Sequence, residues 1–219
     1  MKLFIDTADC AFLKQWASTA LIDGITTNPT SLSKVEQEPR AVILDICSIM
    51  GDRDVSVEVT EREPEALYEQ AKRIAGLAPN VVVKIPCAEE YAHCIGRLVK
   101  EGVRLNITLV FSVVQALYMA KLGVDYVSPF VGRLDDIDGD GLGFVADVCT
   151  AFAQYDFKTQ ILAASIRSVR QVHEVAQCGV DVVTVSPSVF AKGFYHPLSE
   201  KGIEKFIADW AKEGKKSFP

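Results

Sequence analysis

The stretch Val-Val-Val-Lys-Ile-Pro at residues 81–86 is a short apolar run with one charged residue, Lys84, in its middle. It lies between two segments of helical periodicity, PEALYEQAKRIAGLA at 64–78 and EEYAHCIGRLVKEG at 89–102. A buried run between two helical segments is typical of βα units around a parallel sheet. The stretch therefore predicts a buried parallel strand that carries a lysine.

The same alternation of strand-like and helix-like segments repeats along the whole chain. Helix-like segments such as SVVQALYMAKLG (112–123) and SVRQVHEVAQCG (168–179) end in glycine, as helices often do. The apolar, β-branched runs are Lys2 to Thr7, Asp23 to Asn28, Val55 to Thr60, Val81 to Pro86, Arg104 to Val110, Tyr126 to Gly132, Gln160 to Ser165 and Asp181 to Ser186. Eight such units without a Pro/Ser-rich linker predict an α/β fold, a single (β/α)8 TIM barrel domain over residues 1–219, rather than an open doubly wound sheet. A glycine-rich nucleotide-binding loop does not follow the first run.

Composition and charge exclude several classes of function. The chain has 219 residues, 49% of them hydrophobic, and a net charge of −6, which argue for a globular protein and against nucleic-acid or anionic membrane partners. A signal peptide and a membrane span are absent from the sequence, so we expect a cytoplasmic protein. The six cysteines are scattered and the three histidines lie far apart, so we expect no metal site, no disulfide framework and no cofactor.

The C-terminal segment predicts an additional helix at about residues 198–214. Ile203, Phe206, Ile207 and Trp210 recur at helical spacing and form an apolar stripe. Such a stripe must be covered, either by the barrel of the same chain or by a neighbouring copy.

Alternation of side chains along a strand predicts which residues face the barrel interior. In VVVKIP, Val82 and Lys84 share the inward face, while Val81, Val83 and Ile85 face the helices. The same reasoning places polar or special residues inward near the strand ends: Asp6, Thr26, Asn28, Ser56, Glu58, Asn106, Thr108, Ser128, Phe130, Ser165, Arg167, Thr184 and Ser186. Barrel interiors are normally aliphatic and active sites lie at the carboxyl ends of the strands, so this ring predicts an active site. The alternative is a buried ion-pair network.

A lysine in such a ring predicts covalent chemistry. A neutral Lys84 amine attacks a ketone and forms a Schiff base, which accepts electrons when a carbon–carbon bond breaks. Asp6 suits proton transfer from a substrate hydroxyl, and Glu58 with Thr108, acting through a water, suits dehydration at the amine. The expected partners of the donor hydroxyls are Asn28, Asn106 and Ser128.

Basic residues near the sixth and seventh strands predict a phosphate site. Phosphates often lie at the loops after strands seven and eight of such barrels, near a helix N-terminus, where Ser165 and Arg167 fall. Arg133 follows the sixth strand and would complete a two-arginine clamp. The alternative is that these arginines pair with Asp135 and Asp136 on the surface.

Six motifs resemble those of the transaldolases, in the family's order: IDGITTNPTSL (22–32), SVEV (56–59), VVVKIP (81–86), LNITLVFS (105–112), YVSPFVGRLDD (126–136) and AASIR (163–167). The resemblance implies a Schiff-base lysine at Lys84, a general acid/base at Asp6, and a water held by Glu58 and Thr108. It implies substrate binding by Thr26, Asn28, Asn106, Ser128, Phe130, Arg133, Ser165 and Arg167. It also implies transfer of a dihydroxyacetone unit between sugar phosphates of the pentose phosphate pathway.

The short length resembles the subfamily that also contains fructose-6-phosphate aldolases and forms homo-oligomers, pentamers or decamers. Those aldolases carry Gln at the position of Glu58 and Tyr at that of Phe130, so the two residues favour transfer over cleavage. Ser31 departs from the family's pattern after TTNP, where two aliphatic residues follow a small one. The alternatives are a fructose-6-phosphate aldolase and a non-catalytic sugar-phosphate binding barrel.

Overall fold

The structure, a computed structural model, describes residues 1–212 as a closed barrel of eight parallel strands with helices around it. The strands are β1 Lys2–Asp6, β2 Gly24–Thr26, β3 Asp54–Glu58, β4 Val81–Pro86, β5 Leu105–Val110, β6 Tyr126–Pro129, β7 Gln160–Ile166 and β8 Val182–Val185. They pair in chain order, and β1 closes the ring by pairing with β8, where Lys2 is opposite Val182. The predicted (β/α)8 fold is confirmed.

Helices connect successive strands. They are α1 Cys10–Trp16, α2 Pro29–Leu32, α3 Pro39–Met50, α4 Pro64–Ala75, α5 Ala92–Lys100, α6 Val113–Leu122, α7 Gly132–Asp135, α8 Gly141–Phe152, α9 Val169–Cys178, α10 Pro187–Lys192 and α11 Pro197–Lys212. A 3-10 turn, Glu89–Tyr91, precedes α5. Two predicted strands are shorter than expected, because Asn28 already caps α2 and Gly132 already begins α7.

Local capping residues explain where the long helices begin and end. In α6, the Ser112 side chain accepts a hydrogen bond from Gln115 N, and Gly123 ends the helix at φ 88°, a left-handed value that glycine adopts freely. In α9, the Ser168 side chain likewise caps the first turn, and Gly179 ends the helix in the left-handed region. The glycine endings predicted for these two helices are confirmed.

The core has two layers, and β4 shows how one strand serves both. Val81, Val83 and Ile85 pack in the outer layer against the helices, whereas Val82 belongs to the barrel interior. The interior cluster at the amino ends of the strands also contains Phe4, Tyr126, Leu162 and Val182. The alternation predicted from the sequence is therefore confirmed in the strand that carries Lys84.

Two strands interrupt that alternation with a residue in the left-handed region. Leu109 has φ 57° and Ser165 has φ 59°, and strand register shifts at both places. Each irregularity is a β-bulge that turns two consecutive residues toward the same side. The pairs Thr108–Leu109 and Ala164–Ser165 therefore both face the carboxyl-end cavity.

An ion-pair network joins three strands at their amino ends. Arg104 donates two hydrogen bonds of 2.6 Å to the Asp54 carboxylate, and the Tyr126 hydroxyl donates a third, also 2.6 Å long. Arg104 also lies 3.3 Å from Asp125. Burial opposes ionisation of Asp54, but the hydrogen bonds from Arg104 and Tyr126 outweigh it and lower the Asp54 pKa.

The last helix, α11, lies on the outside of the barrel. None of its residues is buried, and Leu198, Ile203, Phe206 and Ile207 are exposed. The barrel of the same chain therefore does not cover the predicted apolar stripe. The last two residues of the predicted extension, 213 and 214, lie outside the described residues. Among the helices of residues 1–212, none is long and apolar enough to cross a bilayer.

Candidate active site

A polar cavity of about 530 Å³ opens at the carboxyl ends of the strands. Sequence reasoning predicted most of the side chains that line it. Those residues are Asp6, Thr26, Asn28, Glu58, Lys84, Thr108, Ser128, Phe130, Arg133, Ser165, Thr184 and Ser186. The fold thus gathers residues from all eight βα units into one place.

Lys84 lies at the base of this cavity, with only 6% of its surface exposed. Its Nζ atom is 2.9 Å from Glu58 Oε2 and donates a 3.2 Å hydrogen bond to the Thr27 carbonyl. Strand register explains the contact, because Glu58 on β3 is directly opposite Lys84 on β4. The amine therefore has a proton acceptor in contact and lies in surroundings largely shielded from solvent.

Asp6 is held in place by a chain of hydrogen bonds that begins at a helix cap. Its Oδ1 atom accepts a 3.0 Å hydrogen bond from Asn28 Nδ2. Asn28 Oδ1 in turn accepts from Ser31 N at 2.8 Å, while Asn28 N donates to Ser31 Oγ at 3.0 Å. Ser31, the residue that departs from the family's pattern, thus completes a capping box that orients Asn28 toward Asp6.

The surroundings of Asp6 raise its pKa. Burial is the main cause, and the Glu58 carboxylate adds to it. The Lys84 ammonium and the hydrogen bond from Asn28 act in the opposite direction but do not cancel the rise. A carboxyl group whose pKa is raised toward neutrality is suited to take up and return a proton during one reaction.

Thr108 presents a buried hydroxyl to the cavity. Its Oγ1 atom forms no hydrogen bond with any group in residues 1–212. An unsatisfied buried hydroxyl is costly, so this atom is suited to bind a polar atom of a ligand or of solvent. Glu58 lines the same cavity, consistent with the predicted pairing of these two residues around a water.

Asn106 is the one predicted donor-binding residue that lies below the cavity lining. Its Nδ2 donates to Ser56 Oγ at 3.2 Å, and its Oδ1 accepts from Ser128 Oγ at 2.7 Å. All three residues are buried. Ser128 lines the cavity, so Asn106 is placed to fix the Ser128 hydroxyl, and its own contact with a substrate stays a prediction.

Only two of the three residues of the predicted phosphate clamp line the cavity. Arg133 and Ser165 line the cavity, and the Arg133 guanidinium lies 5.1 Å from the centre of the Phe130 ring. Arg167 instead donates to Asp136 at 2.5 Å and is not part of the lining. The surface ion pair weighed as an alternative therefore occurs at Arg167 and not at Arg133.

Sequence reasoning missed Lys34. This residue follows α2 and lines both the cavity and an adjoining one of about 740 Å³. The only available signal was that Lys34 is the sole basic residue between Asn28 and Arg40. Leu109 was missed as well, because strand alternation directs it away from the interior.

Residues 1–212 contain no cluster of three or more His, Cys, Asp or Glu side chains arranged to hold a metal ion.

Comparison with known proteins connects this geometry to a family. The family model described as Transaldolase/Fructose-6-phosphate aldolase matches residues 3–217. A probable transaldolase from Phenylobacterium zucineum (strain HLK1) is 45% identical over 214 residues, 98% of this chain and 98% of the relative. Probable transaldolases from Methanococcus maripaludis (strain C7) and Dehalococcoides mccartyi are 44% and 43% identical, over 96% of this chain and 97% and 98% of the relatives. The chain therefore belongs to the transaldolase/fructose-6-phosphate aldolase family.

Proposed function

We propose that this protein is a transaldolase. It transfers a dihydroxyacetone unit from a ketose phosphate, such as sedoheptulose 7-phosphate or fructose 6-phosphate, to an aldose phosphate acceptor. The observation that carries the proposal is the buried Lys84 amine, in contact with Glu58 in the cavity that Asp6 also lines. Relatives named probable transaldolase over the same length support it.

The first stage of the proposed reaction forms the Schiff base. Glu58 takes a proton from Lys84, and the neutral amine attacks the C2 carbonyl of the ketose, so that the N–C2 bond forms. A second proton passes from the attached nitrogen to the C2 oxygen through the water held by Glu58 and Thr108, which gives a carbinolamine. Glu58 then returns the first proton, and the C2 oxygen leaves as water. The product is an iminium ion on Lys84.

The second stage breaks the carbon chain. Asp6 removes the proton of the C4 hydroxyl, the C3–C4 bond breaks, and its electron pair moves into the iminium to give an enamine. The aldose leaves, and the enamine carbon attacks the aldehyde of the acceptor. Asp6 returns its proton to the new hydroxyl, and hydrolysis releases the ketose from Lys84. The raised pKa of Asp6 favours both directions of proton transfer.

Phe130 supports transfer rather than simple cleavage. Its ring lines the cavity, lies 5.6 Å from the Phe111 ring, and offers no hydroxyl to the bound enamine. Without a phenolic proton donor there, the enamine is not quickly protonated and released as free dihydroxyacetone. It therefore persists until an aldehyde arrives.

Borohydride trapping tests the covalent mechanism. Reduction in the presence of fructose 6-phosphate should add a reduced three-carbon unit to Lys84, identified by peptide mass spectrometry. A Lys84→Ala variant should give no adduct and serves as the control. Absence of the adduct in the wild type would favour the non-catalytic binding barrel.

A second assay separates transfer from aldol cleavage. With fructose 6-phosphate alone, free dihydroxyacetone should appear slowly, and addition of erythrose 4-phosphate should yield sedoheptulose 7-phosphate rapidly. Fast release of dihydroxyacetone without an acceptor would identify a fructose-6-phosphate aldolase instead.

The proposed substrates assign the protein to the pentose phosphate pathway. Arg133 and Ser165, both in the cavity lining, are the proposed phosphate ligands, and Arg167 remains a third candidate if it exchanges Asp136 for substrate.

We also propose the cytoplasm as the compartment of this protein. All six cysteines are free thiols, which is typical of reducing surroundings.

The resemblance implies a homo-oligomer, a pentamer or decamer, and the exposed stripe of α11 supports the proposal that the chain associates. Phe206 and Ile207 are 73% and 66% exposed, and uncovered apolar surface of this kind favours association. Sedimentation velocity should show an oligomer that a Phe206→Glu, Ile207→Glu variant reduces to smaller species. A monomeric wild type would contradict this proposal.

A further inference from the structure

Lys34 stands at the boundary between two cavities on the carboxyl-end face. The active-site cavity and the adjoining one share Asp6, Ser31, Lys34 and Ser186 in their linings. They therefore form one cleft. Lys34 is exposed and lines this cleft, so it adds a positive charge on the approach to Lys84.

The cations around the mouth of the cleft differ in whether a carboxylate pairs with them. Arg167 is engaged by Asp136, whereas neither Lys34 nor Arg133 forms an ion pair with another residue in the described part of the chain. The only other cation in the lining, Lys84, is paired with Glu58. Two unpaired cations thus remain for an anionic ligand.

The barrel topology fixes the positions of these two cations relative to each other. Lys34 follows β2 and α2, and Arg133 follows β6. In a closed ring of eight strands in chain order, β2 and β6 are diametrically opposite. The two residues therefore flank the cleft on opposite sides, so an anion that enters it passes between two positive charges.

Electrostatics supply the reason for a cation at this place. The chain carries a net charge of −6, and the cavity contains the carboxylates of Asp6 and Glu58. A phosphate dianion that enters such a site is repelled unless positive charge at the mouth offsets the field. Arg133 alone supplies one unpaired charge, and Lys34 supplies the second.

We propose that Lys34 is a specificity-determining residue that binds the substrate's phosphate group from the side of the mouth opposite Arg133. The proposal rests on the proposed transaldolase function and assigns to Lys34 the preference for phosphorylated over unphosphorylated substrates. Lys34 takes no part in bond making or breaking at Lys84.

Steady-state kinetics of Lys34→Met and Lys34→Arg test the proposal. With Lys34→Met, the KM for fructose 6-phosphate and for the acceptor glyceraldehyde 3-phosphate should rise about tenfold, the scale of one charge-assisted contact, with kcat within about twofold of the wild type. The kcat/KM for unphosphorylated glyceraldehyde as acceptor, at saturating donor, should stay the same. Lys34→Arg should restore most of the affinity, and inorganic phosphate should inhibit Lys34→Met less than the wild type.

The matched control is Lys121→Met, which removes an exposed lysine from the last turn of α6, at the opposite face of the barrel. It should leave every constant unchanged. An equal loss for both acceptors, or an unchanged KM for the phosphorylated ones, would overturn the role of Lys34. If the wild type forms the Lys84 adduct and catalyses transfer while the Lys34 variants give these results, only the role of Lys34 is refuted. If the wild type catalyses no transfer, the proposed function itself is refuted.

Discussion

The ion pair between Lys84 and Glu58 is nearly buried, and its geometry ties catalysis to stability. The side chains are 8% and 14% exposed, and the atoms that meet are 2.9 Å apart. Burial of two charges is costly, and such a pair is retained at this cost where its chemistry is needed. Loss of one partner leaves the other without its counter-ion in a site that is largely shielded from solvent.

Replacement of Lys84 by Met should therefore remove activity and also weaken the fold. We expect turnover to fall by at least about a thousandfold and the free energy of unfolding to drop by about 3–5 kcal/mol, the cost of an unpaired buried charge. The double variant Lys84→Met, Glu58→Gln should recover much of the stability but none of the activity. Urea denaturation and transfer assays measure the two effects, and activity in either variant would contradict the assignment of the nucleophile.

The raised pKa of Asp6 predicts that its contribution to folding stability changes with pH in the opposite direction from that of most carboxylates. Because its pKa is raised in the folded protein, ionised Asp6 opposes folding at neutral pH, and this penalty disappears as the pH falls through that pKa to the ordinary value. Asp6→Asn should thus be inactive yet melt at a higher temperature at pH 7, with the gain shrinking toward pH 4. Melting curves of both proteins between pH 4 and pH 7 measure this gain in melting temperature. A variant less stable than the wild type at pH 7 would show that the contacts of Asp6 with Asn28 and Lys84 stabilise the fold more than burial of its charge destabilises it.

We expect the side chain at position 130 to decide whether the bound dihydroxyacetone unit is transferred to an acceptor or released. Phe130→Tyr should place a hydroxyl near the bound enamine and increase release of free dihydroxyacetone, by about tenfold if the phenol acts as a general acid. The control is Phe111→Tyr, which modifies the neighbouring, more exposed ring. Coupled detection of dihydroxyacetone without acceptor measures the rate. Equal effects of the two substitutions would argue against a specific role for position 130.

Single residues also show how far the sequence could predict the site. Lys84, Asp6 and Glu58 were predictable, because strict alternation along short strands fixes the side to which each residue points. The inward turn of Leu109 was not, since a left-handed leucine has no local sequence signal and is imposed by the surrounding barrel. Lys34 was missed because a loop position carries no periodicity.

At the scale of elements, the contact between α7 and β7 positions the phosphate side of the cavity. Gly132 begins α7 directly before Arg133, and a Cβ atom there would lie 2.4 Å from the Ser165 carbonyl oxygen and 2.7 Å from the Arg167 side chain. Only glycine allows this close approach of the two backbones. The packing thus links Arg133 and Ser165, the two proposed phosphate ligands in the lining.

Gly132→Ala should push α7 away from β7 and disturb both ligands at once. We expect KM for phosphorylated substrates to rise about tenfold or more, the equivalent of at least 1.4 kcal/mol of binding energy, together with a lower melting temperature. Gly202→Ala in α11, where an added Cβ meets no atom within 4 Å, is the control and should leave KM unchanged without lowering the melting temperature. Normal kinetics for Gly132→Ala would mean that the loop adapts without cost.

Element boundaries were less predictable than element types. The sequence predicts a strand as far as Gly132 and no helix at residues 29–32, whereas the structure has the four-residue helices α7 and α2 at these places. Their sequences are too short to show helical periodicity, and they form because tertiary contacts and caps such as Asn28–Ser31 stabilise them. The four helix-like segments quoted from the sequence match α4, α5, α6 and α9 to within about three residues at each end.

For the molecule as a whole, the two ends of the barrel divide stability from chemistry. At the amino end, Asp54, Arg104 and Tyr126 form a satisfied network that lowers the Asp54 pKa. At the carboxyl end, the polar groups include an unsatisfied hydroxyl on Thr108 and a carboxyl group, Asp6, with a raised pKa. Destabilised groups therefore concentrate at the end that holds the proposed active site.

Tyr126→Phe should test this division. Loss of the hydrogen bond to Asp54 should lower the free energy of unfolding by about 1–2 kcal/mol at pH 7, with transfer activity unchanged. Because ionised Asp54 stabilises the fold above its ordinary pKa and this contribution is lost as the pH falls through its lowered pKa, the deficit should narrow in acid. Denaturant titrations at several pH values measure this difference in the free energy of unfolding. A marked loss of transfer activity would show that the two ends of the barrel are coupled.

In the proposed mechanism, the packed amino end of the barrel also determines the order in which the substrates react. Phe4, Val82, Tyr126, Leu162 and Val182 fill the interior below Lys84 and are at most 1% exposed, so in the described residues the active-site cavity has no passage through the barrel axis. The departing aldose and the incoming one must use the same entrance and occupy the same space. The first product must therefore leave before the second substrate binds. Double-reciprocal plots should give parallel lines, and excess acceptor should inhibit by competing with the donor for the free enzyme.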